Sequence, residues 1–271
     1  MPAVPRARGR ARRRILVLAP VIAAALAACG PAAGPASGSQ PPAHGAPTGT
    51  VTVFAAASLT EVFTGIGHAF EAAHAGTKVE FNFGASSTLA QQISAGAPAD
   101  VFAAAGPEPM RQLVDAGTVA GEPEVFARNR LVIAVPEGNP QRIGGLADLA
   151  RPGLTVALCA PQVPCGAAAA TALAAGGVSL EPATLEQDVK ATLTKVRLGE
   201  VDAALVYRTD VAVEDSDVDA VEFPESGRAV NDYPIAALAE APNPVGARAF
   251  VAFVRSPEAR RFLVAGGFQT P

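Results

Sequence analysis

The chain has 271 residues, 49% of them hydrophobic and 17% charged, with a formal net charge of −4. Residues 1–28 hold six arginines and no acid, so the remainder carries 15 basic against 25 acidic side chains, a net −10. That balance, with no basic stripe in the remainder, excludes nucleic acid as a partner. It also means that any anion site must be assembled locally from aimed dipoles rather than from net charge.

In chain order, Arg6, Arg8, Arg10, Arg12, Arg13 and Arg14 form a basic n-region, and Ile15 to Ala28 is an apolar run too short for a comfortable membrane span. The run ends Leu26-Ala27-Ala28-Cys29, which resembles the lipobox of bacterial lipoproteins, where the cysteine is lipidated and becomes the first mature residue. Residues 1–28 are therefore expected to be a lipoprotein signal peptide. From the lipidated Cys29 to Gly49, Pro, Ala, Gly and Ser follow without hydrophobic period, the composition of a disordered tether over 29–49. The folded part is then about Thr50 to Pro271, enough for one large domain or two compact lobes.

Val51 to Ala55 is a short β-branched, apolar run that suits a buried strand. Ser58 follows where a helix N-cap would stand, with Glu61 spaced to complete a capping box. Leu59, Val62, Phe63, Ile66 and Phe70 then recur at helical spacing. A strand running into a helix with a hydroxyl at the junction offers free N–H groups and the positive end of a helix dipole to an anion. The pattern repeats: Val79 to Phe83 reads as a strand, and Gly84-Ala85-Ser86-Ser87-Thr88-Leu89 leads into a second helix. Asp100 to Ala105 is a third strand, with a helix from Pro107 to Ala116 behind it. This βαβαβ run predicts a parallel sheet flanked by helices, with both junctions at the carboxyl ends of its strands.

Leu131 to Pro136 is the strongest strand signal in the chain. A second set of units follows: a strand at Leu154 to Leu158, helices from Cys165 to Ala174 and from about Gln187 to Leu198, and strands at Ala203 to Val206 and Val218 to Phe223. Tyr233 to Leu238 reads as a last strand, and helices from Val245 to Val254 and Pro257 to Val264 close the chain.

Three segments, Ala55-Ala56-Ala57-Ser58-Leu59, Ala85-Ser86-Ser87-Thr88-Leu89-Ala90-Gln91-Gln92-Ile93 and Gly96-Ala97-Pro98-Ala99-Asp100-Val101-Phe102, resemble in order and spacing the periplasmic molybdate-binding proteins of ABC transporters. The resemblance continues through Val206-Tyr207, Asp232-Tyr233-Pro234 and the closing Gly266-Gly267-Phe268. It implies an α/β, two-lobe periplasmic-binding-protein fold of type II. Each lobe would be a mixed, mostly parallel sheet flanked by helices. Lobe 1 would take residues 50–129 and 233–271, lobe 2 residues 130–232, with the ligand in the cleft between them. By the same resemblance, Ser58 and Ser86 hold the oxyanion from lobe 1. Lobe 2 adds the backbone at Cys165 and Val189 and the hydroxyl of Tyr207. The family usually has a small residue such as Ala where this chain has Cys165. A main-chain donor survives that departure, while the side-chain fit is altered. The implied ligand is molybdate, with tungstate, and the implied partners are ABC permease subunits and, through the lipid, the outer face of the cytoplasmic membrane. The expected protein is a monomer with no cofactor and no metal bound as a free cation.

Donor chemistry agrees with that ligand class. A fully deprotonated tetrahedral dianion offers only acceptors, and hydroxyls with N–H groups suit it, whereas phosphate near neutral pH keeps a proton and wants a carboxylate. Sulfate shares molybdate's charge and shape and is the alternative ligand. Enzyme readings fare worse. Ser58 lacks a Gly-x-Ser-x-Gly elbow and a serving histidine, and His68 and His74 do not share a helical face. Cys159 and Cys165 are not spaced as a redox Cys-x-x-Cys pair. In an exported chain they read as a structural disulfide closing a short loop. A lipoprotein scaffold with no small ligand would have no need of donors repeated at several helix starts.

Overall fold

The computed structural model describes residues 45–212 and 217–271. The signal peptide, Cys29 and nearly all of the expected tether lie outside the described residues.

Among the described residues, ten strands form two five-stranded sheets. The first contains β1 (Gly49–Ala56), β2 (Thr77–Gly84), β3 (Val101–Ala103), β4 (Glu124–Asn129) and β10 (Asn231–Ala237), in the order β2-β1-β3-β10-β4. The second contains β5 (Leu131–Pro136), β6 (Val156–Cys159), β7 (Thr184–Glu186), β8 (Ala203–Tyr207) and β9 (Val218–Val221), in the order β7-β6-β8-β5-β9. In each sheet one strand is reversed. β10 pairs antiparallel with both β3 and β4, and β5 pairs antiparallel with both β8 and β9. The other pairings are parallel. The expected mixed, mostly parallel, two-lobe α/β architecture is what the chain adopts. Only Arg130 separates β4 in one sheet from β5 in the other, and residues 222–230 carry the chain back from β9 to β10.

Eight helices among the described residues cover the sheets: α1 (Thr60–Ala73), α2 (Ser86–Ser94), α3 (Pro107–Asp115), α4 (Pro164–Gly176), α5 (Val189–Arg197), the single turn α6 (Arg208–Val211), α7 (Pro244–Val254) and α8 (Pro257–Ala265). Their starts are chemically marked. Proline opens α3, α4, α7 and α8, where its missing N–H costs nothing. Asn243 and Ser256 accept from Gly246 N–H and Ala259 N–H to cap α7 and α8. Helix α1 buries Phe63, Ile66 and Phe70 at helical spacing. Phe250 of α7 meets Phe63, Phe70 and Phe81 with ring centroids 6.1, 5.3 and 6.2 Å away. Asp100, in the third resembling segment, is a tie: its buried carboxylate accepts Thr52 N–H at 2.7 Å and Asn243 N–H at 2.5 Å, joining β1 to the start of α7.

Two strands escaped the sequence reading. β4 carries polar Arg128 and Asn129 at its end, and β7 is a three-residue edge strand without a fully buried position. Neither has the apolar run that marks a strand.

Removing the shared ring in Phe250→Ala should lower unfolding free energy by about 3–5 kcal/mol through lost transfer energy and a residual cavity. A urea titration checks this. A loss below about 1 kcal/mol would mean that the aromatic cluster is not the core of the first sheet's helical layer.

Candidate functional site

The strands of both sheets that end at the junctions between strand and helix deliver their helix starts to one place. Ser58, Ser86, Cys165, Val189 and Tyr207 all line a single small cavity, with Ala56, Ala57, Gly84, Ala85, Ala105, Val163, Pro164 and Asp188. Its volume is about 20 Å³ measured at the centre of a water-sized sphere. That suits a compact group of a few atoms, whereas pockets for organic ligands run to ~300–1,000 Å³.

Each residue arrives by a local rule. β1 ends in a tight 3-10 turn, Ala57–Leu59, before α1 begins. Ser58 therefore sits inside that turn and is not the cap of α1, whose N-cap is Leu59 with no side-chain bond. The expected capping box is absent for a physical reason: the Ser58 hydroxyl is turned away to Tyr233 Oη, 2.9 Å distant, and Glu61 is engaged elsewhere. Ser86 is the first residue of α2, and its Oγ accepts Ala105 N–H at 3.0 Å. Val189 opens α5 behind Asp188, which caps the helix by accepting Ala191 N–H at 2.9 Å. Cys165 is the second residue of α4, after Pro164. First-turn amides have no carbonyl of their own helix to bond, so those of Cys165 and Val189 are donors by position.

The turn before α4 is tightly built. Cys159, ending β6, is disulfide-bonded to Cys165 with Cα atoms 5.7 Å apart, and Cys159 Sγ also lies 3.2 Å from Thr192 Oγ1. Val163 N–H bonds Ala160 carbonyl, and Gly166 and Ala167 N–H bond Val163 carbonyl, all at 3.0 Å. A Cβ on Gly166 would stand 2.0 Å from the Ala160 oxygen, so only glycine lets the helix start so close to the turn.

Several neighbouring residues had no role assigned from the sequence, although Tyr233 falls in one of the resembling segments. Tyr233 and Asn231 lie at the start of β10, Asn129 ends β4, and Lys190 is the second residue of α5. Lys190 Nζ contacts both Glu61 carboxylate oxygens, at 2.9 and 3.0 Å, tying α5 to α1 across the two lobes. It also lies 3.2 Å from Oδ1 of the buried Asp210. Asp210 Oδ2 accepts the Tyr207 N–H at 3.1 Å, holding the end of β8 beside the cavity. Burial pushes the Asp210 carboxyl up to about 6, with Lys190 pulling the other way and Glu61 adding to the rise. Burial likewise holds the Tyr207 and Tyr233 hydroxyls above the usual phenol range, so both keep their hydrogens. His68 is exposed, and His74 packs on Phe70 with Nδ1 3.0 Å from the Phe70 carbonyl at the end of α1. Among the described residues, no cluster of His, Cys, Asp and Glu could hold a metal ion, and no helix is long and apolar enough to cross a membrane.

A two-lobed receptor with a small, donor-lined cavity between its sheets is the class that this geometry defines. Residues 51–269 match the family of bacterial extracellular solute-binding proteins. The molybdate-binding protein ModA of Mycobacterium tuberculosis is 45% identical over 230 residues, 85% of this chain and 87% of that protein. The chain belongs to the bacterial extracellular solute-binding proteins, together with the ModA proteins. Two solved structures share the fold. The periplasmic molybdate-binding protein of Azotobacter vinelandii has a TM-score of 0.74 at 19% identity, covering 82% of this chain and 99% of its own. The sulfate-binding protein SubI of Mycobacterium tuberculosis has a TM-score of 0.71 at 22% identity, covering 82% and 86%.

The Asp210 carboxyl gives a pH test. An unfolded aspartate titrates near ~3.9, while the folded one holds its proton up to about 6. Between these values the native state binds more protons than the unfolded state, so stability falls as pH rises. The contribution is full below the lower value and lost above the upper, on the order of 3 kcal/mol. Asp210→Asn removes that titration. Its stability should improve relative to wild type as pH rises from about 4 to 7, measured by urea midpoints. Parallel curves for the two proteins would refute the assignment.

Proposed function

We propose that this chain binds molybdate, and tungstate with it, outside the cytoplasmic membrane and hands it to ABC permease subunits for uptake. The observation that carries the reading is the donor set around one small cavity: three hydroxyls, from Ser58, Ser86 and Tyr207, with first-turn amides at Cys165 and Val189. The one carboxylate in the lining, Asp188, is engaged by Ala191 N–H. Such a set matches an oxyanion that only accepts hydrogen bonds. Helix dipoles supply the favourable potential that the acidic chain lacks. The 45% identity to ModA of Mycobacterium tuberculosis supports the choice of molybdate. The chain acts by capture and release, without turnover or a cofactor, as a monomer held to the outer face of the membrane by lipid on Cys29. Sulfate, equal in charge and shape, is the competing ligand.

A thermal-shift panel of molybdate, tungstate, sulfate, phosphate and chromate tests the ligand. A ligand at a hundredfold excess over its Kd adds about 2.7 kcal/mol of stability. Molybdate and tungstate should stabilise most, and phosphate ahead of molybdate would overturn the reading. Ser58→Ala, Ser86→Ala and Tyr207→Phe should each cost about 1.5–3 kcal/mol of molybdate binding by calorimetry. Unchanged affinity in all three would remove the site.

The backbone donor at Cys165 can be isolated from its disulfide. Cys159→Ala with Cys165→Ala should keep binding at some loss of stability. Cys159→Ala with Cys165→Pro deletes the N–H where the first helical turn tolerates proline, and should bind about tenfold more weakly or worse than the Ala pair. Equal affinities would mean that this amide is not a donor to the ligand.

A further inference from the structure

Each hydroxyl at the cavity has one hydrogen, and it reaches a ligand only if the same oxygen is not already donating inward. At Ser58, two residues outside the proposed ligand set decide that direction.

The first chain of bonds starts at Asn129. The Arg130 N–H can only donate, and it lies 3.0 Å from the Asn129 side-chain oxygen. The amide nitrogen of Asn129 therefore faces the other way, donating to Thr209 Oγ1 at 2.8 Å and to Tyr233 Oη at 3.4 Å. With its oxygen accepting, the Tyr233 hydroxyl gives its hydrogen to Ser58 Oγ, 2.9 Å away. The Ser58 hydrogen is left for the cavity. Tyr233 and Asn129 are 0% and 3% exposed, so no bulk water supplies an alternative partner.

The second chain starts at Asn231. The Ala105 carbonyl can only accept, so the Asn231 nitrogen faces it, at 2.6 Å. The same nitrogen donates to Tyr207 Oη at 2.8 Å. The Tyr207 hydroxyl also has two inward neighbours, the Ala105 carbonyl at 3.4 Å and the Tyr233 hydroxyl, so its hydrogen is not reserved for the cavity as that of Ser58 is. Ser86 obeys the same rule without a side-chain helper, since Ala105 N–H donates to its Oγ at 3.0 Å.

We infer that Asn129 and Tyr233 are positioning residues that polarise the Ser58 hydroxyl outward, so that the site donates a hydrogen bond there and accepts none, rejecting oxyanions that carry a proton. The inference rests on the reading of the cavity as an oxyanion site. It adds the groups that set its selectivity and the direction in which each acts. Both tyrosines stay protonated through burial, which keeps the chains intact over the working pH range.

The test is a double-mutant cycle and a reversed-polarity variant, read by calorimetry with molybdate, sulfate and phosphate. In wild type, Ser58→Ala should weaken molybdate binding about tenfold or more. In an Asn129→Asp background, the same change should cost about threefold or less, because the Ser58 hydrogen is turned inward to Tyr233. In Asn129→Asp the carboxylate accepts from Tyr233, Tyr233 accepts from Ser58, and a Ser58 lone pair faces the cavity. At mildly alkaline pH molybdate and hydrogen phosphate are both dianions, so the added charge penalises them alike. The phosphate-to-molybdate affinity ratio should then rise about tenfold in Asn129→Asp. Additive effects in the cycle together with an unchanged ratio would overturn the relay while leaving the ligand reading intact. If Asn129→Asp fails to fold, the wild-type cost of Ser58→Ala decides: a loss under about threefold means that the hydroxyl already donates inward and overturns the relay. If wild type binds sulfate but not molybdate, the ligand choice falls and the cycle is read on sulfate. A wild type that binds none of the oxyanions removes the site and the relay together.

Discussion

The structure depends on hydrogen-bond donors that cannot turn away. An acidic chain that gathers no arginine or lysine into its cavity can face an anion only with N–H and O–H dipoles. Such dipoles act only when preorganised. The amides at Cys165 and Val189 are fixed because they belong to helices whose starts are pinned, one by Pro164 and the disulfide, the other by the Asp188 cap. The hydroxyls are fixed because each oxygen already accepts from the protein. The buried strands behind them serve the same end. β1, β3, β6 and β8 contribute fully buried residues along most of their length, and a strand so packed leaves its terminal turn little freedom.

Much of this was legible in the sequence. The apolar runs at Val51, Leu131 and Ala203 mark buried strands, and the prolines at 107, 164, 244 and 257 mark helix starts, because those signals are local. The five residues that the resemblance put forward do meet at one cavity, although they are spread from Ser58 to Tyr207 along the chain. What was illegible is non-local or conditional. Ser58 looked like an N-cap, since a hydroxyl followed three residues later by glutamate is the usual pattern. The chain instead inserts a 3-10 turn, and a tyrosine 175 residues away takes the hydroxyl. Asn129 and Asn231 look like ordinary polar residues flanking strands. Only the pairing of β4 with β10, where Asn231 stands opposite Asn129, brings both beside the site. Lys190 and Glu61 likewise meet across 129 positions, a separation that no periodicity reports.

The ion pair from Lys190 to Glu61 belongs to a different layer of the design. Both side chains are partly exposed, 29% and 48%, so solvent screens their attraction and the pair contributes little to stability. Lys190 has a second partner in the fully buried Asp210, which in turn holds the backbone of Tyr207. A contact between lobes, a buried carboxyl and a donor residue of the cavity are thus linked through one ammonium group.

The two reversed strands have a mechanical consequence. The chain passes between the sheets only around Arg130 and through residues 222–230, and Asn129, Asn231 and Tyr233 sit immediately beside those passages. These three residues therefore stand at the fulcrum of any rocking between the sheets, where a given rotation displaces atoms least. Opening would part Ser58 and Ser86, which follow strands of the first sheet, from Cys165, Val189 and Tyr207, which follow strands of the second, so that whatever fills the cavity keeps its contacts on one side only.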